Sequence, residues 1–254
     1  MTISTADAPH VVAVHPAPWA NHQIQLYTRS GAPLSAEATD ALAGTTTLDI
    51  VGPHEKGAIV GLAPRLPRVT TVRYFNDTRG APFHCTLSPR TLVMFPKFAP
   101  SEERGPVAET GPVPKSTARV VLNVPTADEA DAVVDPFDVP DSVRELVVYP
   151  AAGLEPAPLG PLDELFRTIG AGLQRIETTF VADDADEGAV KAALESIAGA
   201  AVNVKVVSRD DYRAAIGEEQ FALETVGLGT VLRELLLDGE DEDEDDVEDE
   251  VHDD

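Results

Sequence analysis

Several residue types that define common protein classes are scarce in this sequence. It contains a single cysteine, Cys85, among 254 residues, which excludes an intrachain disulfide and any cysteine-based zinc cluster. Aromatic residues make up only 5% of the chain, whereas hydrophobic residues make up 43%, so the core is expected to consist mainly of Val, Leu, Ile and Ala. No apolar run approaches the ~18 residues of a transmembrane helix, and no basic-plus-apolar stretch opens the sequence. We therefore predict a cytoplasmic protein, or one packaged in a soluble assembly, without a membrane role.

Charge is distributed unevenly along the chain, whose net charge is −25. Residues 1–118 carry 10 basic and 9 acidic side chains, and residues 119–237 carry 9 basic and 22 acidic ones. Residues 238–254 carry 13 acidic side chains and no basic one. The negative electrostatic field of such a protein repels anionic membranes and DNA. Binding to either would therefore require a local basic patch. Low lysine with abundant acids also fits a chain from a salt-loving cell, although residues 1–118 do not share that bias.

An alternation of strand-like and helix-like patterns organises the second half of the chain. Four β-branched runs each precede a helical pattern, at Val120–Val124, Val143–Tyr149, Ile176–Val181 and Val202–Val207. This rhythm is typical of βαβ units. It predicts an α/β domain over residues 118–237 with four strands in a parallel or mixed sheet. The last run alternates apolar and polar residues, which favours an edge strand.

Helices can be placed within this predicted domain from their apolar periodicity and their ends. Pro161 suits a first helical turn, and apolar residues follow it on one helical face at Leu162, Leu165, Phe166, Ile169 and Leu173. Asp184 with Glu187 forms a capping-box pattern, with Asp184 as the predicted cap, and Gly199 is the predicted C-terminal cap. An apolar pattern over residues 221–237 predicts a helix that docks on the sheet.

The first half of the chain predicts a different architecture. Seven strand-like runs fall within residues 11–98, separated by turn-forming residues. We interpret them as a mainly-β domain. Residues 99–117 are rich in Pro, Ser, Glu and Gly and predict a linker. Residues 238–254, the acidic tail, are predicted to be disordered. The predicted fold class is thus α/β plus mainly-β, in two domains followed by a tail.

Motifs that would indicate catalysis are weak. The spacing of the six histidines matches no metal motif, and His84 and Cys85 are adjacent in a predicted strand, so they would point to opposite faces. The cluster Asp183, Asp184, Asp186 and Glu187 follows a strand and opens a helix. Such carboxylates either cap the helix or hold Mg²⁺ at the carboxyl end of a parallel strand. We favour capping and assign no catalytic residue, metal or cofactor, with an enzyme or ligand sensor near Asp183 and Asp184 as an alternative.

A basic and aromatic strip within residues 65–101 is the strongest candidate for binding. Asp77 is its sole acid, and Phe75, Phe83, Phe95 and Phe98 are interleaved with its other members. The candidate partner-binding residues are Arg65, Arg68, Arg73, Tyr74, Arg79, Arg90 and Lys97. Basic side chains with aromatics on a β surface can bind single-stranded nucleic acid, and arginines can also pair with an acidic protein. The structural alternative is that the aromatics are core and the arginines are scattered surface charges.

Three interpretations of the acidic tail remain open: it solubilises the protein, docks on a basic partner, or folds back on the basic strip of its own chain. We predict a non-enzymatic binding, regulatory or assembly protein that acts through protein–protein contacts, a role compatible with an oligomer. The alternative is a single-strand nucleic-acid-binding protein that uses residues 65–98, with a self-inhibitory or recruiting tail.

Overall fold

The computed structural model describes residues 10–14, 25–28, 43–51, 63–76, 87–96, 113–124, 137, 139–150 and 159–226. Nine strands lie within these residues and belong to one sheet. The strands are β1 His10–Val14, β2 Gln25–Thr28, β3 Thr47–Val51, β4 Thr71–Asn76, β5 Thr91–Pro96, β6 Arg119–Asn123, β7 Glu145–Tyr149, β8 Glu177–Val181 and β9 Asn203–Val207.

The strands follow one another across the sheet almost in chain order, as β2-β1-β3-β4-β5-β6-β7-β8-β9. Strands β3 to β9 form a seven-stranded all-parallel sheet. Strand β1 joins β3 in parallel, and β2 pairs with β1 in antiparallel orientation. The protein is therefore α/β, as the alternation of patterns in its second half predicted.

No separate β-rich N-terminal domain is present in the described part of residues 11–98, which corrects the two-domain fold class. Strand β5, before the predicted linker, is the parallel neighbour of β6, after it. One hydrophobic cluster extends from Leu48 to Val202 and includes Val113, a buried residue inside the predicted linker. The short strands of the first half were mistaken for a β domain because the sequence between them shows no strong helical period of apolar residues. Residues 97–112 lie outside the described residues, so their role as a linker stays a prediction.

The register of the sheet explains how its two faces are filled. Leu48, Val72, Leu92, Val120 and Leu146 are aligned side by side across β3 to β7 and belong to the larger hydrophobic cluster. The next residue of each strand points to the opposite face, because side chains alternate along a strand. That second row consists of Asp49, Arg73, Val93, Val121 and Val147. One face is therefore apolar, whereas the other combines valines with a charged pair.

Two helices, α1 Asp163–Ile169 and α2 Glu187–Ala198, cover the apolar face. The predicted stripe of α1 is confirmed, since Leu165 and Phe166 are fully buried. This helix is shorter than its pattern, with turns of 3-10 helix at Gly160–Leu162 and Gly170–Arg175 on either side.

The N-cap of α2 was predicted two residues too early. Asp186, and not Asp184, is the N-cap, and its side chain accepts a hydrogen bond from the Ala189 amide at 3.1 Å. Gly199 ends the helix in the left-handed conformation, at φ 66°, as predicted. Both α1 and α2 lie on the same face, as right-handed crossovers between successive neighbouring strands require.

Two further helices, α3 Arg209–Ile216 and α4 Glu218–Thr225, lie on the other face of the sheet. The turn between them depends on Gly217, at φ 84° and ψ 156°, a region that is open essentially to glycine alone. The helix predicted over residues 221–237 corresponds in part to α4. Residues 227–254, including the rest of that helix and the acidic tail, lie outside the described residues.

Strand β9 is at the edge of the sheet, as its alternating pattern predicted. The carbonyl of Val207 accepts a hydrogen bond from the amide of Ala182, the residue that follows β8, so the amide of the preceding Val206 points away from the sheet. The Glu187 carboxylate accepts from this amide at 3.1 Å. A side chain therefore satisfies a backbone group that would otherwise be open to pairing with another strand.

None of the helices in the described ranges combines the length and the apolar character needed to cross a membrane.

We predict that Leu165→Asp destabilises the whole sheet. The substitution buries an unpaired charge, at an expected cost of about 4 kcal/mol or more. Because the two halves share one core, hydrogen exchange should accelerate in β4 and β5 as well as in β7 and β8. Thr168→Asp, on the exposed side of α1, is the matched control and should change exchange little. Unchanged exchange in β4 and β5, or release of two folded fragments by proteolysis at Arg104 or Lys115, would support two domains instead.

Candidate functional site

A buried polar cluster joins α4 to the sheet and is the most concentrated group of functional side chains in the described residues. Its centre is Glu224 of α4, whose side chain is 0% exposed. Arg119 on β6, Tyr149 on β7 and Tyr212 on α3 surround it. The turn at Gly217 joins α3 to α4, and α4 packs on the sheet with Glu224 against β6 and β7.

Each oxygen of the Glu224 carboxylate accepts two hydrogen bonds. Oε1 accepts from Arg119 Nη1 at 2.5 Å and from Gln220 Nε2 at 2.7 Å. Oε2 accepts from the Tyr149 hydroxyl at 2.8 Å and from the Tyr212 hydroxyl at 3.3 Å. The Tyr212 hydroxyl in turn accepts from Arg119 Nη2 at 2.7 Å. An ionised carboxylate offers about four acceptor positions, so the internal bonds use all of them.

The electrostatics of the cluster favour a charged arginine beside neutral phenols. Burial, followed by the negative charge of Glu224, raises the pKa of Tyr149 far above its ordinary value. Burial also raises the pKa of Tyr212 to about 12, although the charge of Arg119 opposes the rise. Burial lowers the pKa of Arg119, but its hydrogen bond and charge interaction with Glu224 outweigh burial, so the net pKa is raised. Both tyrosines are therefore hydrogen-bond donors at neutral pH, and neither is a base.

A second buried ion pair lies beside this cluster. Arg73 on β4 donates to both carboxylate oxygens of Asp49 on β3, from Nε at 2.7 Å and from Nη2 at 2.5 Å. Its guanidinium lies 4.9 Å from the centre of the Phe75 ring. Both members of the pair are nearly inaccessible, at 3% and 0% exposed. The two-pronged geometry is the one in which arginine binds carboxylate most strongly.

Side chains of the sheet also donate hydrogen bonds to the carbonyl groups at the C-terminal end of α4. Arg73 Nη1 donates to the carbonyl oxygens of Leu223 at 3.1 Å and Val226 at 3.4 Å. Asn123 Nδ2 donates to the carbonyl of Glu224 at 2.7 Å. The last carbonyls of a helix lack partners within the helix and carry partial negative charge. A cation from β4 and an amide from β6 thus satisfy the end of a helix that lies 150 and 101 residues further along the chain, respectively.

The acids at the carboxyl end of β8 bind backbone amides. Asp183 accepts from the Arg209 amide at 3.0 Å, at the start of α3, and Asp186 and Glu187 cap α2 and strand β9. Asp184 is exposed. In the described ranges, no group of three or more His, Cys, Asp and Glu side chains is placed to hold a metal ion. Capping thus accounts for three of the four acids in the cluster.

The residues of the basic strip are divided between different environments. Arg73 and Tyr74 are buried on opposite faces of β4, so neither lies on the surface. Arg65, in a 3-10 turn, is half-buried, whereas Arg68 and Arg90 are exposed in the segments before β4 and β5. Arg79 and Lys97 lie outside the described residues, as do Cys85 and every histidine except His10. The five members that the structure describes, Arg65, Arg68, Arg73, Tyr74 and Arg90, therefore do not share one exposed β surface.

Sequence reasoning missed every member of the Glu224 cluster. Glu224 is separated by 105 residues from Arg119 and by 75 from Tyr149, and no local spacing links them. One weak signal was present: Glu224 lies between apolar residues in the first turns of the helix predicted over residues 221–237. A charge there requires a buried partner.

No family model matches the chain, and comparison with curated proteins and with solved structures likewise found no match.

We predict that Glu224→Gln lowers the free energy of unfolding by about 3 kcal/mol, because Arg119 loses its buried counter-charge. In either orientation of the glutamine amide, its NH2 group would face hydrogen-bond donors where the carboxylate has an accepting oxygen. Glu219→Gln removes the same charge from an exposed position of α4 and should change stability by no more than about 0.5 kcal/mol. Chemical denaturation of the two variants and the wild type measures the difference. Equal stability of both variants would show that the cluster does not hold α4 on the sheet.

Stability should fall at alkaline pH because of the buried phenols. An unfolded tyrosine ionises near pH 10, whereas folded Tyr212 ionises near 12. A raised folded-state pKa gives a stabilising contribution that is complete below about pH 10 and is lost as pH rises through about 12. Tyrosinate absorbance should therefore rise together with unfolding. Tyr212→Phe should make the decline of stability with pH less steep. Ionisation of all four tyrosines near pH 10 in a protein that stays folded would contradict the prediction.

Proposed function

We propose that this protein is a non-enzymatic binding or assembly protein that acts through protein–protein contacts. The observation that carries the proposal is the closure of the Glu224 cluster. All four acceptor positions of the carboxylate are used by side chains of the same chain. A catalytic acid or base needs a free position toward a substrate, and Glu224 has none in this arrangement.

The other polar groups of the described residues support the same proposal. Arg73 and Asp49 are buried and joined to each other. The acids after β8 hold the amides that begin α3 and cap α2. Side chains with shifted pKa values often mark active sites, but structural ion-pair networks also shift pKa values. In the described residues, each group with a strongly shifted pKa has a partner within the chain, which supports a structural role for the cluster and binding through the surface instead.

The exposed arginines are the best candidates for a partner contact. The side chains of Arg68 and Arg90 have no hydrogen-bond or ion-pair partner in the described part of the chain, and residues 63–75 and 87–95 contain no acid. An acidic protein surface would complement them. Single-stranded nucleic acid is less well supported, because stacking needs accessible aromatic rings and both Tyr74 and Phe75 are buried.

The test is capture of a protein partner by the full-length chain and by two double variants. Arg68→Ser with Arg90→Ser should lose the partner, because the attracting charges are gone. The matched control, Lys191→Ser with Arg167→Ser, removes two exposed charges from the helices on the apolar face and should retain it. Equal capture by both variants would contradict the proposed contact.

The enzyme alternative near Asp183 and Asp184 gives a different outcome. If these carboxylates bind Mg²⁺, the metal raises the melting temperature of the wild type, since a ligand that binds the folded state stabilises it. Asp184→Asn would then abolish the rise. We expect no rise in either protein, because Asp183 is already occupied by the Arg209 amide.

A further inference from the structure

A row of basic side chains lies along the amino end of the sheet, where consecutive parallel strands begin. Arg68 precedes β4, Arg90 precedes β5, Lys115 precedes β6 and Arg144 precedes β7. All four side chains are exposed. We name these four residues the basic edge. Two of its members, Lys115 and Arg144, lie outside the basic strip of residues 65–101, and only the parallel order of the strands makes them neighbours of Arg68 and Arg90.

Backbone hydrogen bonds fix the spacing of the basic edge. The Arg90 carbonyl accepts from the Ala118 amide at 2.8 Å, and the Ala118 carbonyl accepts from the Arg144 amide at 2.8 Å. Arg90 and Arg144 therefore flank Ala118 in a continuation of the ladder. Neighbouring strands are ~4.8 Å apart, so their Cα atoms are separated by roughly 10 Å. An extended peptide covers the same distance in about three residues.

The charges of the basic edge are not neutralised nearby. Arg68, Arg90 and Lys115 have no ion-pair partner in the described part of the chain, and Arg144 bonds only to the backbone carbonyls of Asp141 and Val143. Residues 113–124 contain no acid, like residues 63–75 and 87–95, and the two acids near Arg144, Asp141 and Glu145, pair with Arg175 and Arg119 instead. The row ends at the next strand, where Arg175 pairs with Asp141 at 2.6 Å. In a protein of net charge −25, a row of cations without ion-pair partners stands out as a place where an anionic segment can bind.

We propose that the basic edge is the docking site of the acidic tail, residues 238–254 of the same chain. The tail carries 13 acidic side chains and no basic one, so any register presents carboxylates at the spacing of the row. A docked tail competes with an acidic partner for Arg68 and Arg90, so it would regulate the binding function proposed above. This regulatory role rests on that proposed function.

The tail is tethered within reach of the basic edge. The Val226 carbonyl is held by Arg73, in the middle of β4, and β4 begins only two residues earlier at Thr71. The eleven residues 227–237 span ~17 Å as a helix and up to roughly 36 Å when extended, whereas a strand of three residues covers ~10 Å. Short tethers give effective concentrations in the millimolar range, which favours the tail over an untethered acidic peptide.

Nucleic acid is the less suitable occupant of this edge. A polyphosphate strand would meet the repulsion of a molecule with 44 acidic residues without the advantage of a tether. The basic edge also lacks exposed aromatic rings in the described residues, since the neighbouring Tyr74 and Phe75 are buried. Carboxylates need no stacking surface, and lysine and arginine at the edge pair with them directly.

The proposal is tested by paramagnetic relaxation in the full chain. A spin label is attached to Val247→Cys in a Cys85→Ser background, and amide signals of the folded protein are compared with and without the active label. We expect broadening at Arg68, Arg90, Lys115 and Arg144 at low ionic strength. It should disappear near 1 M salt, where the Debye length is about 3 Å. Absence of broadening along the basic edge at low salt overturns the proposal.

Two triple variants separate charge recognition from random approach of the tail. Arg68→Ser, Arg90→Ser and Lys115→Ser together should abolish the broadening. The control replaces Arg167, Lys191 and Lys205 by Ser, removes the same number of exposed charges, and should retain it. The amide spectrum itself reports whether each variant is folded. Equal broadening in both variants overturns the proposal.

Mixed samples and a probe strand decide the remaining outcomes. Broadening that appears only between a labelled molecule and a separate unlabelled one assigns the tail to a second copy and overturns docking within one chain. Displacement of the tail by oligothymidylate at a lower concentration than by a synthetic peptide of residues 238–254 reassigns the edge to nucleic acid. If tail contact fails while a protein partner is still lost with Arg68→Ser and Arg90→Ser, the proposed binding function stands without this regulation.

Discussion

The attachment of α4 to the sheet through Glu224 is the interaction on which the rest of the structure depends. A single buried carboxylate receives hydrogen bonds from Arg119 of β6, Tyr149 of β7 and Tyr212 of α3. Such a charge is tolerated only because every acceptor position is occupied, since an unpaired buried carboxylate would cost several kcal/mol. The cluster fixes the helical pair α3–α4 over a face of the sheet that no strand-to-strand helix of the described residues covers.

This attachment also links the C-terminal helices to strands from the first half of the described chain. The end of α4 is held by Arg73, and Arg73 is held by Asp49, so contacts run from the last described helix to the first strand of the all-parallel sheet. Charge and dipole agree at this point, because a cation lies at the negative end of a helix. The buried Arg73 therefore contributes to the fold, although its sequence context resembled a binding surface.

Charge is sorted by the topology as much as by the sequence. Parallel order places the beginnings of β3 to β9 at one end of the sheet, and there the cations that precede four of these strands form a row. At the other end, Asp183, Asp186 and Glu187 bind amides at the start of α3, the start of α2 and the edge of β9. The two ends of the sheet thus differ in charge and in what their side chains are free to bind, which directs the search for a partner to the amino end.

Local pattern determined the elements of this protein, and tertiary contacts determined their arrangement. The strand runs, the apolar stripe of α1, the cap at Gly199 and the edge position of β9 follow from propensity and periodicity, which act over a few residues. The joining of β5 to β6 and the pairing of Glu224 with Arg119 link residues that are far apart in the chain, so no spacing in the sequence encodes them. The same limit explains Arg73, which was grouped with exposed arginines by proximity in sequence. Its burial depends on Asp49 and α4, and only the folded sheet brings these together.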